Sequence, residues 1–288
     1  MENMKSKDFW WTREFLNSQY GESHRIEHEG CILPFKEFDE KLEIGFIGPY
    51  SLAYMDNSKL DAATILKTWD KLIQKYPNKN LYIRLPPKQY YNDLYEINLK
   101  SIQAFNSQLL YVDVNQHLDL LKAFESRLRR DRVRDLTKAK ALGLNFRTVD
   151  LVDAFGIIEK NRTSKQIDMS VSIDRLNLLA NLIPSRIDSF GISDKDNLVA
   201  TAIVYTINSK LAYVFMWGHD PEARNGGIAM TSLCKGLFSK YQAEFLTKLC
   251  LGTSSVQGNI DIGLMSFKKG LGAVETSREV MLIPKSKS

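Results

Sequence analysis

The sequence predicts an α/β (α+β) protein made of two halves, each a mixed sheet flanked by helices. Three observations predict it. The chain has 288 residues, close to two domains at about 150 residues each. Residues 145–282 run through apolar patterns in the order β-α-α-β-β-β-α-β-α-β, a set long enough to bury a core of its own. A strongly basic helical stretch closed by Gly143 separates that set from the first half. The expected boundary therefore divides residues 1–143 from residues 144–288.

The elements follow in order. Residues 31–35 and 44–47 read as strands around a charged turn, with Gly48 and Pro49 ending the second. Ala62, Ile65, Leu66, Trp69, Leu72 and Ile73 form one apolar stripe and predict a helix over 61–76. Residues 80–85 form a short strand stopped by Pro86 and Pro87, and residues 109–114 another. A long helix is predicted over 118–142, with Leu118, Leu121, Phe124, Leu128, Leu136 and Ala139 inward and Gly143 as its stop. The second half opens with a strand at 145–149 and helices at 150–165 and 172–186. Strands at 187–192, 198–207 and 211–218 follow, the last two joined by Asn208, Ser209 and Lys210. A helix over 227–241, a strand over 248–252, a loop over 253–258, a helix over 260–269 and a strand over 274–282 complete the chain.

Composition narrows the function classes. Hydrophobic residues make up 44% and charged residues 25%, a balance that supports a globular core without staples. Cys31, Cys234 and Cys250 are far apart and form no CxxC pair, which argues against a disulfide framework or zinc ribbon and fits a reducing compartment. His24 and His28 are four residues apart, but Gly30 and the strand from Cys31 leave no helix to aim both at one ion, so no metal is expected. No run approaches the ~18 apolar residues of a membrane span. The first residues lack the apolar stretch of a secretory signal, and a cytoplasmic protein is expected. The net charge of +5 is concentrated. Arg127, Arg129, Arg130, Arg132, Arg134, Lys138 and Lys140 stand against only Asp131 and Asp135. Such a patch attracts phosphates, RNA or an anionic membrane surface. No DNA-binding motif accompanies it.

The chemistry-bearing motif follows the strand at 211–218. Arg224, Asn225, Gly226, Gly227, Ile228 and Ala229 fit R-x-x-G-x-A at the start of an amphipathic helix. Glycine admits a ligand close to the backbone, and the free N–H groups of a helix start favour an anion such as a pyrophosphate.

A strand, this turn and a helix resemble the acyl-CoA pyrophosphate motif of the GNAT N-acyltransferases. The element order of residues 145–282 is similar to a GNAT domain. Two further stretches resemble the Fem-type aminoacyltransferases and their smaller relatives, which carry two GNAT-like halves. One is the basic run from Leu128 to Gly143, with its Lys138-Ala139 pair. The other is Leu251-Gly252-Thr253-Ser254-Ser255, followed by Phe267-Lys268 and Gly272. The resemblance implies tandem GNAT-like domains, a degenerate first half and an acyltransferase second half. It also implies acyl-CoA, acetyl-CoA being the simplest, as co-substrate. The pyrophosphate turn favours that donor, whereas the Fem-type branch would use aminoacyl-tRNA in cell-wall synthesis. The acceptor implied is a small or lipid-linked amine, such as an amino sugar in surface-glycan assembly.

Such chemistry needs a base and an oriented acceptor. GNAT enzymes often place a glutamate on the strand before the motif, and residues 211–218 contain no acid. That gap leaves a third reading open, a non-catalytic GNAT-like binding module. The nearest titratable candidates are His219 and Asp220. Trp217, Thr253, Ser254 and Lys268 are candidates for substrate contact. Arg130 and Arg134 share a helical face with Arg127 and Lys138 and are candidates for an anionic partner, tRNA included.

Overall fold

A computed structural model describes residues 24–45, 52–54 and 61–285. Phe46 and Ile47 of the second expected strand, the Gly48 and Pro49 that end it, and the N-terminal stretch read for a secretory signal lie outside the described residues. The chain falls into two compact units. Unit 1 holds residues 1–115, 255–260 and 276–288, and unit 2 holds residues 116–254 and 261–275. This division differs from a boundary at residue 143. The basic helix belongs to unit 2, because Leu128 and Leu136 pack against that unit's core.

In unit 1, β1 (Arg25–His28) and β2 (Cys31–Pro34) form a hairpin. His24 and His28 part there, one facing Glu37 and the other Lys71. Strands β3 (Lys36–Glu37), β4 (Lys41–Ile44), β5 (Asn80–Arg84), β14 (Val274–Ile283) and the first part of β6 (Gln108–Asp119) lie side by side in that order. β4 and β5 run parallel, and β14 is antiparallel to β5. Helix α1 (Ala62–Lys75) starts where the Asp61 carboxylate accepts the N–H groups of Ala63 and Thr64. It buries Ile65, Trp69 and Leu72. Helix α2 (Lys88–Gln103) was not foreseen. Its inner face holds Leu94, Asn98, Ser101 and Ile102, and the polar pair breaks the apolar stripe. Asn98 is there because its side-chain oxygen accepts the indole N–H of Trp69 at 3.0 Å.

In unit 2, the end of β6 is followed by β11 (Lys248–Thr253), β10 (Leu211–His219), β9 (Asn197–Thr206), β8 (Ile187–Asp194) and β7 (Asn145–Thr148) across the sheet. The helices are α3 (Arg130–Ala141), α4 (Leu151–Ser164), α5 (Ile173–Leu182), α6 (Gly226–Ala243) and α7 (Ile262–Gly270). α6 buries Ala229, Leu233, Cys234, Leu237, Phe238 and Tyr241 against a sheet face that includes Phe190, Val204, Val214 and Leu249.

Three expectations are corrected here. The helix over 118–142 is a strand to Asp119, a short 3-10 turn at Glu125–Arg127 and a helix only from Arg130. Leu118 and Phe124 are buried as expected, but from a strand and a turn. Gly143, at φ 69°, does stop the helix. The helix over 172–186 ends at Leu182, because Pro184 has no N–H to continue it and opens a 3-10 turn instead. The loop over 253–258 contains β12 (Ser255–Val256), which pairs with β13 (Asn259–Ile260) in unit 1.

Candidate active site in unit 2

β10 and β11 are parallel but pair only through Leu211, Ala212 and Tyr213 against Lys248, Leu249 and Cys250. β10 runs six residues further and β11 three, so the two strands part and leave a gap between their C-terminal ends. A bulge in β10 falls between Val214 and Met216 in its pairing with β9. It changes which side chains face the core. Ala212 and Val214 lie against α6 before the bulge, and Trp217 packs there after it.

α6 begins beside this gap. Gly226 donates its N–H to the Ala223 carbonyl, and Ala229 donates to that of Asn225. The amides of Gly227 and Ile228 donate to nothing among the described residues. Asn225 makes no side-chain cap, and the first turn carries no acid. Arg224 and Gly227 are exposed. Two unsatisfied N–H groups stand at the positive end of an 18-residue helix, an arrangement whose electrostatics favour an anion. The two glycines have separate jobs. A Cβ on Gly226 would stand 2.4 Å from Nδ1 of His219, whereas one on Gly227 would meet nothing within 4 Å. Gly226 lets the histidine ring pack under the helix start, and Gly227 leaves the outer face open.

His219 and Asp220 sit within this turn. Nδ1 of His219 lies 3.0 Å from the Asp220 carbonyl oxygen. A carbonyl only accepts, so Nδ1 is the donor of this bond, and in the neutral imidazole Nε2 is the nitrogen with the lone pair. The Asp220 carboxylate accepts the Glu222 N–H at 3.0 Å and so stabilises the turn. Behind the strand, the Asn161 amide donates to the His219 carbonyl at 2.7 Å. Asn161 was not anticipated. Its signal was its place on the stripe of Ala154, Phe155, Ile157 and Ile158, where a buried amide needs a partner.

The opposite wall is built by Lys268. This lysine is 1% exposed, and its ammonium donates to the carbonyls of Gly252 at 3.0 Å and Thr253 at 2.9 Å. Burial pulls its pKa from 10.5 down to about 8, with smaller opposing effects from Cys250, Cys234 and Asp261. Lys268 thus holds the end of β11 and does not face solvent to meet an anion. Thr253 is half-buried. Ser254 is 1% exposed and donates its hydroxyl to Gln116 at 2.5 Å. This corrects the expectation that it contacts substrate: it ties β11 to β6. Asp261 caps α7 by accepting the Leu264 N–H. Trp217 is half-buried, its ring 5.8 Å from that of Phe267.

The basic helix separates into two populations. Arg129 forks onto Asp131 at 2.6 and 2.7 Å, which holds that carboxyl well below the usual range. Arg132 pairs with Asp135 at 2.7 Å and reaches Thr231 of α6. Arg127 donates to the Asp119 carbonyl and leaves the face it was expected to share. Arg130 and Arg134 are exposed, as a surface for an anionic partner requires.

No family model matches the chain, and no curated protein sequence does. Solved structures do match in fold. FemX is 12% identical, with a TM-score of 0.67 over 96% of this chain and 92% of that one. The L-PGS of Bacillus licheniformis is 12% identical, with 0.66 over 95% and 87%. A tandem GNAT protein from the clavulanic acid biosynthesis pathway is 14% identical, with 0.51 over 90% and 80%. The splayed strands, the glycine turn at a helix start and these likenesses together give the chain a GNAT-like fold of the Fem-like kind.

Proposed function

We propose that this protein is an N-acyltransferase that takes an acyl group from acyl-CoA, acetyl-CoA being the simplest, and passes it to an amine. The pair of unsatisfied amides at Gly227 and Ile228 carries this reading, because a pyrophosphate supplies the oxygens they lack. The donor's acyl arm then runs into the gap between β10 and β11, past Trp217. The acceptor amine attacks the thioester carbonyl, the carbon–sulfur bond breaks, and CoA leaves as thiolate. The amine's proton is taken by Nε2 of His219 or by water. An amino sugar of surface-glycan assembly is the acceptor class suggested by the resemblance.

Calorimetric titration of acetyl-CoA into the wild type and into Gly227→Glu tests the donor. A Cβ at Gly227 meets nothing within 4 Å, so the substitution brings a carboxylate to the proposed site of the pyrophosphate without a clash at Cβ. Repulsion of about 3 kcal/mol at ~5 Å and an effective dielectric near 20 predicts roughly 100-fold weaker binding. No saturable binding to the wild type, or equal binding to both, refutes the assignment. The likeness to FemX supports a second reading, with aminoacyl-tRNA as donor. Transfer from charged tRNA that is indifferent to Gly227→Glu would establish it instead.

A further inference from the structure

Helix α3 presents a face that the acyl-transfer reading does not use. Arg130, Val133, Arg134, Thr137, Lys138, Lys140 and Ala141 are all exposed; Arg130, Val133, Arg134, Thr137 and Ala141 fall on the side opposite buried Ala139, with Lys138 and Lys140 on its two flanks. The side chains of Arg130, Arg134, Lys138 and Lys140 form no ion pair or hydrogen bond with any described residue. The two acids of the helix lie on its flank and are occupied by Arg129 and Arg132. Arg130, Arg134 and Lys138 thus form a row of three unpaired cations, with Lys140 on the other flank. Arg130, Arg134 and Lys138 are spaced one turn apart along roughly 12 Å of helix.

We propose that this face docks the protein on an anionic lipid bilayer. Charge complementarity argues for a phosphate-rich surface, at about a fivefold gain in binding per cation near the membrane. The residues between the cations select the bilayer over RNA. Val133, 45% exposed, and Ala141 offer short apolar side chains that a headgroup layer accepts. The face has no aromatic ring to stack on a base and no amide to read one. This inference does not depend on the identity of the acyl donor.

Co-sedimentation of the full chain with pure phosphatidylcholine vesicles and with equimolar phosphatidylcholine–phosphatidylglycerol vesicles tests it. The wild type is expected to sediment only with the anionic vesicles. Arg130→Gln, Arg134→Gln and Lys138→Gln combined should weaken that binding roughly 100-fold without changing the melting temperature, since all three side chains are exposed. The charge-conserving set Arg130→Lys, Arg134→Lys and Lys138→Arg should retain it. Equal binding to both vesicle types, no binding to either, or anionic binding unaffected by the triple glutamine variant overturns the proposal. So does tight, salt-sensitive binding of polyuridylate by a protein that ignores the vesicles.

Discussion

Lys268→Met removes the charge and the terminal nitrogen while keeping an unbranched side chain of similar volume. The wild-type ammonium makes two hydrogen bonds to carbonyls at the end of β11, each worth about 1.5–3 kcal/mol when the donor is charged. Against this stands the cost of burying the charge. A pKa drawn from 10.5 to about 8 corresponds to about 3 kcal/mol at neutral pH. The balance is a net loss of about 0–3 kcal/mol in the methionine variant, well below the sum of the bonds. The pH dependence separates these terms. A lysine with a lowered native pKa carries a penalty that is fully present below about 8 and is relieved as pH rises towards 10.5. In that window the unfolded chain binds more protons, so wild-type stability gains with rising pH relative to the variant. Urea midpoints of both proteins across the alkaline range measure the difference. Stability gaps that stay constant with pH would refute the buried, charged state of Lys268. A methionine variant more stable at neutral pH would show that the two carbonyl bonds do not outweigh desolvation.

The two glycines of the turn should respond in opposite ways. Gly226→Ala drives a methyl into the His219 ring and should lower both the melting temperature and donor binding. Gly227→Ala meets nothing and should hold stability or raise it by up to about 1 kcal/mol through helix propensity; a similar loss in both would show that the turn is not built as described. Phe245 follows α6 at φ 63° and is 88% exposed. Phe245→Gly should therefore raise stability by about 1 kcal/mol in thermal melts, and destabilisation would reveal a contact that this ring makes.

The turn was legible because its signal is local. Strand, glycine pair and helix are contiguous from Leu211 to Tyr241, and periodicity alone separates a strand from the helix after it. The same logic failed for residues 118–142. Leu118, Leu121, Phe124 and Leu128 fit a helical stripe, yet the pairing that makes 118 and 119 a strand involves distant partners, and Leu121 is 76% exposed. α2 was missed for the converse reason, since its inner face is broken by Asn98, whose partner Trp69 is on another helix, and by Ser101, whose hydroxyl donates back to the Ile97 carbonyl of its own helix. In the site, Ser254 is a candidate for substrate contact from its place at a strand end, and Lys268 from the resemblance to the Fem-type branch. Only the fold shows that each is almost wholly enclosed and satisfied by the protein itself.

The absence of an acid from β10 changes how the chemistry is distributed. Beyond the bulge the strand offers Trp217 and then His219, whose proton on Nδ1 is held by the Asp220 carbonyl. That bond orients Nε2 as the acceptor, and it depends on the ring lying where a side chain on Gly226 would otherwise be. The next two residues carry the unsatisfied amides. In the proposed reaction the proton acceptor and the anion clamp would thus be assembled by one turn, with Asn161 fixing the strand end from behind through the His219 carbonyl. In the proposed reaction, binding the donor's pyrophosphate would stiffen the same backbone that positions the imidazole. Lys268 fixes the facing strand end, so the gap is bounded by two anchored ends.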